Sequence, residues 1–512
     1  MEKEKGLPED WRERIRGKKV FFYNTSIGNL LNGGEKHINK IAHVLETFRI
    51  HKEVTLWWRP HPLELSTVES MRPELATKYK ALRRRYEEEG WGILDTSADV
   101  NRAIAISDAY YGDWSSVMHL YQKTGKPILI SDDVVKDGIC IQIMDMLFYK
   151  KKLWFVAQNC NLLFNMDTKS NEIELIGKIP CDNILCSSMI NEVIREGDNL
   201  IFIPANASSV IKYNISTRKF LFCDVGENKQ SKYIGCAKIG EHCYLIPAYE
   251  NKVLKYNMNE NKIEKEIPIV IQSITMKCRR RTLVDEKYFY FVCEKSNIIG
   301  KYDTSSDKIE YVHLDEKNNY IYFIEKYKEN YWVISQNYIT ILDLNLKYEA
   351  VLAFPKEFVS EEILFIDYIK DEKMLYLLPY LSNMILAVNM ETKSIVSING
   401  KKDYAKKYVC GSILDRSIYA FSNYDNCLYE MSLDGINEKK HKLYLTKTQI
   451  NDLYDIYKEE IINSLSDSAL YENGLLNLKY FIEVIKTIIS NDSLNYYKTQ
   501  CGEKIHKKMM GE

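Results

Sequence analysis

LIFIPA at 200–205, followed by VIKYN at 210–214 and KFLFCDV at 219–225, is one unit of a pattern that recurs along most of the chain. Its leading run has counterparts in LWFVAQ (153–158), CYLIPA (243–248), YFYFVC (288–293), YWVISQ (331–336), MLYLLP (374–379) and IYAFSN (418–423). Successive starts are separated by 47, 43, 45, 43, 43 and 44 residues. Each run is followed by a polar turn and a second strand that ends in Asn, Asp or Ser, as in VLKYN to Asn257, IIGKYD to Asp303, ITILD to Asp343 and ILAVN to Asn389. These endings are turn formers, because the short polar side chain bonds the backbone two residues on. A weaker strand follows, such as KIEYVHL at 308–314, and another precedes each main run, such as YIYFIEKY at 320–327 or EILFIDYI at 362–369.

Four short strands per unit of this length is the arithmetic of a β-propeller. A blade with two apolar faces cannot bury them alone, so the units must pack radially. The sequence therefore predicts a seven-bladed β-propeller over 140–443. Neither a Trp-Asp dipeptide nor a Gly-Gly signature marks its blades, and a fold alone does not give a function. No cluster of Asp, Glu and His repeats at the inner strands, which ranks an axial active site last. The run Arg279-Arg280-Arg281 offers an anion or partner patch, but reads first as a solvated face between the first and second strands of one blade.

A chain of 512 residues exceeds one hydrophobic core. Net charge is −1, so nothing global favours nucleic acid or an anionic membrane. The twelve cysteines are scattered without CxxC or zinc spacing, and the charged start Met-Glu-Lys-Glu-Lys has no apolar stretch behind it. The expectation is a cytoplasmic protein with buried, inert thiols and no metal. No apolar run approaches the roughly 20 residues of a membrane span, so membrane association is expected only as peripheral, at the inner face.

Residues 1–135 form the first expected domain, and from 18 to 130 they read as strands alternating with helices. Strands are expected at 18–24, 54–59, 92–95, 109–113 and 127–131, and helices at 35–49, 73–89, 100–106 and 115–124. This order implies a parallel, Rossmann-like sheet with helices on both faces, whose ligands bind beyond the carboxyl ends of the strands. Three of those ends carry polar groups. Asn24-Thr25-Ser26-Ile27-Gly28 is a small polar loop. Arg59-Pro60-His61-Pro62 places two donors for phosphate oxygens at a corner. Asp113-Trp114-Ser115-Ser116 puts two hydroxyls at a helix start, where free N–H groups and the helix dipole favour anions. Read singly, each is a cap or a turn; their joint appearance on one sheet favours a nucleotide or phosphate site made of Thr25, Ser26, Arg59, His61, Asp113, Ser115 and Ser116. His37, His43, His51 and His119 read as structural or solvated.

The segment WWRPHPLELSTVESMRPEL (57–75) with AIAISDAYYGDWSSVMHLYQKTGKPILI (103–130) resembles the C-terminal half of the CDP-glycerol glycerophosphotransferases. The likeness spans about 18–131 and rests on the R-x-H-P corner and on D-x-S-S preceding G-K-P. It implies the nucleotide-binding half of a GT-B fold and a transferase acting in synthesis of teichoic-acid-like or capsular cell-surface polymers. By resemblance Arg59, His61, Ser115 and Ser116 hold the diphosphate of a CDP- or CMP-linked donor, which is a substrate rather than a cofactor. His61 has the catalytic role, and Asp108 and Asp113 shape the loop. The first loop departs from the family, where an aromatic or basic residue follows Pro-Thr. A GT-B site also needs an acceptor-side Rossmann half, which is expected from a separate chain.

From 446 to 512 the repeat gives way to helical periodicity at 449–465 and 470–489, with a third short helix at 502–510; packing on the propeller or on the Rossmann unit is expected. Two functions of different class remain. One is a transferase whose propeller serves recognition of, or docking to, glycan or protein. The other is a non-catalytic nucleotide- or glycan-binding scaffold with a degenerate transferase half.

Overall fold

The computed structural model describes residues 6–131, 138–180, 182, 184–226, 231–269, 278–315, 320–360, 363–398, 407–464, 469–471 and 476–488. The expected helix at 502–510 lies outside them. Two compact units result: the described residues up to Ile139 together with those from Leu445 onward, and Cys140–Tyr444 between them.

The first unit is built on a sheet that opens with β1 (Lys19–Thr25), β2 (Val54–Pro60), β3 (Ile93–Leu94), β4 (Ala109–Gly112) and β5 (Ile128–Ile130). Spatial order is β3-β2-β1-β4-β5, and every pairing is parallel. All seven residues of β2 are buried, as a strand covered on both faces requires. One face carries Phe22, Trp57, Tyr110 and Ile128, which pack with Leu7, Ile15, Ala103, Ile104, Met118 and Tyr121. The helices on that face are α1 (Glu9–Ile15), α6 (Val100–Ile106) and α7 (Ser116–Gln122). The other face carries Phe21 and Trp58, which meet Phe48 of α3 (Glu35–Ile50) and Tyr79 and Tyr86 of α5 (Pro73–Glu89).

Three helices were not expected from periodicity: α1, α2 (Ile27–Gly33) and α4 (Glu64–Met71). Each has only seven or eight residues, too short for a 3.6-residue period to declare itself. The end of the chain returns to this unit: the strand Ala469–Tyr471 extends the sheet in parallel beyond β5. The helices on either side of it are α8 (Lys447–Ser464) and α9 (Leu478–Ile488). Phe481 of α9 packs edge-on against Phe21 of β1, with ring centroids 5.7 Å apart. Among the described residues, no helix is long and apolar enough to cross a membrane.

The second unit is a seven-bladed β-propeller: seven four-stranded sheets, each made of four consecutive antiparallel strands. The runs that announced the repeat are the second strands, from Lys152–Ala157 to Ser417–Ser422, and are almost wholly buried. Outer strands such as Lys219–Asp224 and Tyr348–Ala353 are largely exposed, which explains their weak signal in the sequence.

Two expectations about the propeller are corrected. Arg279–281 is not a solvated face: Arg280 is only 5% exposed, and Arg281 is half-buried beside it. The inner strands do carry a polar cluster, because Asp145, Glu192 and Asp367 converge on these two guanidiniums. The sequence hid this because the carboxylates come from three blades and the cations from a fourth.

Candidate functional site

Strand order reverses between β1 and β4. The chain runs from β1 outward to β2 and β3, then crosses back to β4 and β5 on the other side. A crevice opens beyond the carboxyl ends at such a switch point. Asn24 near the end of β1 pairs with Arg59 of β2 on one side and Gly112 of β4 on the other. Gly112 has φ +156°, and a Cβ there would lie 2.3 Å from the Asn24 carbonyl oxygen, so only glycine allows β4 this close to β1.

Asn24 is the hub of the crevice. Its Nδ2 donates to the Arg59 carbonyl (2.9 Å), and its Oδ1 accepts from Ser115 Oγ (3.0 Å). Ser115 also caps α7, accepting from Met118 N–H at 3.2 Å. Ser26 likewise caps α2 through Asn29 N–H. The loops after β1, β2 and β4 are thus cross-linked rather than independently placed.

Two buried carboxylates complete the lacing. Asp113 accepts from Ser26 N–H (2.7 Å) through Oδ2, and its own N–H donates to Asn24 O. Lys40 and His37, both buried on α3, lie 3.5 and 3.9 Å from the Asp113 carboxylate. Glu64 at the start of α4 accepts from Thr25 Oγ1 (2.9 Å), Tyr79 OH (2.6 Å) and His61 N–H (3.0 Å). Burial pushes the Glu64 carboxyl above its usual range, against these hydrogen bonds, which lower it. Burial also raises the Tyr23 hydroxyl beneath the crevice, helped by the neighbouring Asp113 charge.

The nominated residues divide into two sets. Arg59 is buried and committed: its guanidinium meets Asp95 Oδ2 at 2.9 Å and donates to the Ser97 carbonyl at 2.6 Å. Thr25 and Asp113 are buried in the lacing just described. Asp108 ties the other end of the sheet, pairing with Lys19 (2.8 Å) and accepting from Val20 N–H. His61 and Ser116 are exposed, and Ser26 and Ser115 are half-buried at the rim. His61 Nδ1 accepts from Leu63 N–H at 3.2 Å, so the neutral ring carries its proton on Nε2. Trp114, 53% exposed, stands beside these hydroxyls with its ring edge-on to His119.

Sequence reasoning did not nominate Asn24 or Glu64. Asn24 was inside the quoted polar loop, but its role needs the pairing of β1 with two strands. Glu64 follows His61 by three residues, and nothing local says that it turns inward. His37, read as structural or solvated, is buried.

Among the described residues one group could offer three metal ligands: His51, Glu53 and Glu483. Lys486 pairs with both of its carboxylates, so a cation is already present there.

No family model matches the chain, and no curated protein matches it in sequence. Solved structures similar to it include a virginiamycin B lyase from Staphylococcus aureus, 12% identical, covering 57% of this chain and 94% of that one, with a TM-score of 0.43. The computationally designed protein Ika8 is 10% identical over 59% of this chain and 88% of its own, with a TM-score of 0.43. YCF48 bound to a D1 peptide is 10% identical over 58% and 95%, with a TM-score of 0.45. Likeness at this level says nothing of function, and the propeller assignment rests on the strand pairing itself.

Proposed function

We propose that the first unit binds the diphosphate of a CDP- or CMP-linked donor at the β1/β4 switch point, as in a CDP-glycerol glycerophosphotransferase-like transferase of cell-surface polymer synthesis. The observation that carries this reading is the cross-linking of three strand ends through Asn24, Glu64 and Asp113, which presents His61, Ser115, Ser116 and the Ser26 cap around one crevice. Preorganised donors of this kind suit a dianionic diphosphate, since they need no rearrangement when the ligand arrives.

In the proposed transfer, an acceptor hydroxyl oxygen attacks the donor's distal phosphorus and forms the new P–O bond. The bond to the bridging oxygen breaks, and CMP departs. His61 Nε2–H donates to an oxygen of the leaving phosphate. The hydroxyl proton passes to a base on an acceptor-side domain. Arg59 enters as a brace for the loop through Asp95 and Ser97, a different role from the direct diphosphate contact that the resemblance implies. The propeller is assigned recognition of, or docking to, glycan or protein, and the whole is assigned to the cytoplasm, with peripheral attachment at the inner face of the membrane.

The commitment of Arg59 also favours a second reading, a non-catalytic binding scaffold that keeps the crevice but not the chemistry. Calorimetric titration with CDP and CMP tests both. Binding weakened by His61→Ala supports the site, and no binding at millimolar nucleotide ends both readings. Release of CMP from CDP-glycerol with a polyol phosphate acceptor separates the transferase from the scaffold.

A further inference from the structure

Residues 145, 192, 235, 280, 323, 367 and 410 recur at the blade period and read Asp, Glu, Gly, Arg, Phe, Asp and Cys. They lie on the inner strands or, for Arg280, in the bulge that precedes one. In the sixth blade Phe365 and Ile369 face Pro379 and Tyr376, while in the fourth Cys278 and Leu283 face Cys293 and Tyr290. The fourth blade thus holds one residue more at this level, and Arg280 is in that bulge. Gly235 makes room for it, since a Cβ there would lie 2.3 Å from the Arg280 carbonyl oxygen.

Neighbouring blades are joined near the axis by a recurring bond. The carboxylate of Asp145 accepts from Val193 N–H (2.9 Å), Glu192 from Cys236 N–H (2.7 Å) and Asp367 from Gly411 N–H (3.1 Å). In each pair the donor follows the equivalent position of the next blade. Thr282 Oγ1 donates to Cys236 O (3.0 Å), Lys326 pairs with Asp285 (2.8 Å), and Tyr368 OH donates to Glu325 (2.5 Å), which joins the remaining successive blades from the third to the sixth. The seventh blade has Cys410 at this position, which offers no carboxylate to the first. Nor is a strand exchanged there, because every blade is made of consecutive strands. That seam holds the two-stranded pairing of Gly138–Cys140 with Tyr444–Thr446, the Ile141 N–H to Leu443 carbonyl bond beside it (2.9 Å), and an edge contact between Phe148 and Tyr419.

We propose that Arg280 is the closing latch of the propeller, an ionic bridge across the seventh blade in place of strand exchange. One guanidinium nitrogen, NH2, lies 3.0 Å from Asp145 of the first blade and 2.9 Å from Asp367 of the sixth. NH1 donates to Met144 O (2.6 Å), again in the first blade. Arg281 stiffens the latch with Nε on Asp367 (2.6 Å) and NH1 on Glu192 (3.3 Å). Losing Arg280 leaves two buried carboxylates less compensated on either side of the seam, a strongly destabilising change.

Amide hydrogen exchange on the full chain tests this, with Leu245→Ala in the third blade as a core truncation that is not at the seam. In Arg280→Met, protection over the inner strands of blades 1 and 7 falls at least about tenfold further than in blade 3, because the ring opens at the seam first. Asp145→Asn removes the charge facing Arg280 while retaining an acceptor for Val193 N–H, and it gives the same localised loss. Uniform loss across all blades in Asp145→Asn, or no loss, overturns the latch whether or not Arg280→Met folds.

Discussion

Ser115 donates from Oγ to Asn24 Oδ1 across 3.0 Å, so the N-cap of α7, three residues past the end of β4, is held by a side chain of β1. The same Asn24 also holds the β2 end through the Arg59 carbonyl. Asn24→Ala removes both bonds at a buried position and leaves that carbonyl and the hydroxyl to find other partners. The expected cost is about 1–3 kcal/mol of the first unit's stability, read by urea denaturation, with weakened nucleotide binding.

Gly112→Ala is expected to be worse than a usual glycine substitution. Its Cβ would meet backbone of β1 at 2.3 Å, and neither strand can yield without losing sheet pairing. A loss above about 2 kcal/mol in the same denaturation experiment is expected. A loss of only a few tenths would show that the two strand ends are not held this tightly.

Arg59 and His61 stand two residues apart and should behave oppositely. Arg59→Met leaves buried Asp95 without its guanidinium and should cost about 3–5 kcal/mol. His61→Ala, at an exposed position, should change stability by no more than about 0.5 kcal/mol while lowering CDP affinity. Paired thermal melts and titrations of the two variants distinguish brace from ligand contact.

Glu64 gives the first unit a pH signature. Its carboxyl is raised by burial above the ordinary value of 4.5, so the folded state holds the proton more tightly than the unfolded chain does. The stability this contributes is complete below the unfolded value and is lost as pH rises through the folded one. Stability of the wild type should therefore fall relative to Glu64→Gln as pH rises from about 4.5. Parallel denaturation curves from pH 4 to pH 8, with a constant difference between the two proteins, would contradict it.

The propeller was legible because the second strand of every blade is buried on both faces, and buried runs such as LIFIPA keep a period that no turn can disguise. Helices α5 and α6 were legible to the residue, since Pro73 opens the first and Asp99 caps the second. The short helices α2 and α4 were not, because Gly28, Gly33 and Pro62 make their surroundings read as loop. At the crevice, residue types at strand ends were visible, but which of them face the ligand was not. Arg59 and His61 look equivalent in R-P-H-P, and only Asp95, contributed from beyond β3, draws one of them inward. The axial Arg280 was misread for a similar reason: a charge run is judged by its neighbours in sequence, whereas its partners lie 135 and 87 residues away.

The most direct test of the crevice as a nucleotide-diphosphate site is amide hydrogen exchange of the full chain with and without saturating CDP. Binding at the switch point predicts slower exchange in the segments 24–29, 61–66 and 114–119, and the same slowing much reduced in His61→Ala. Exchange unchanged in all three segments, or slowed only within the propeller, would contradict it.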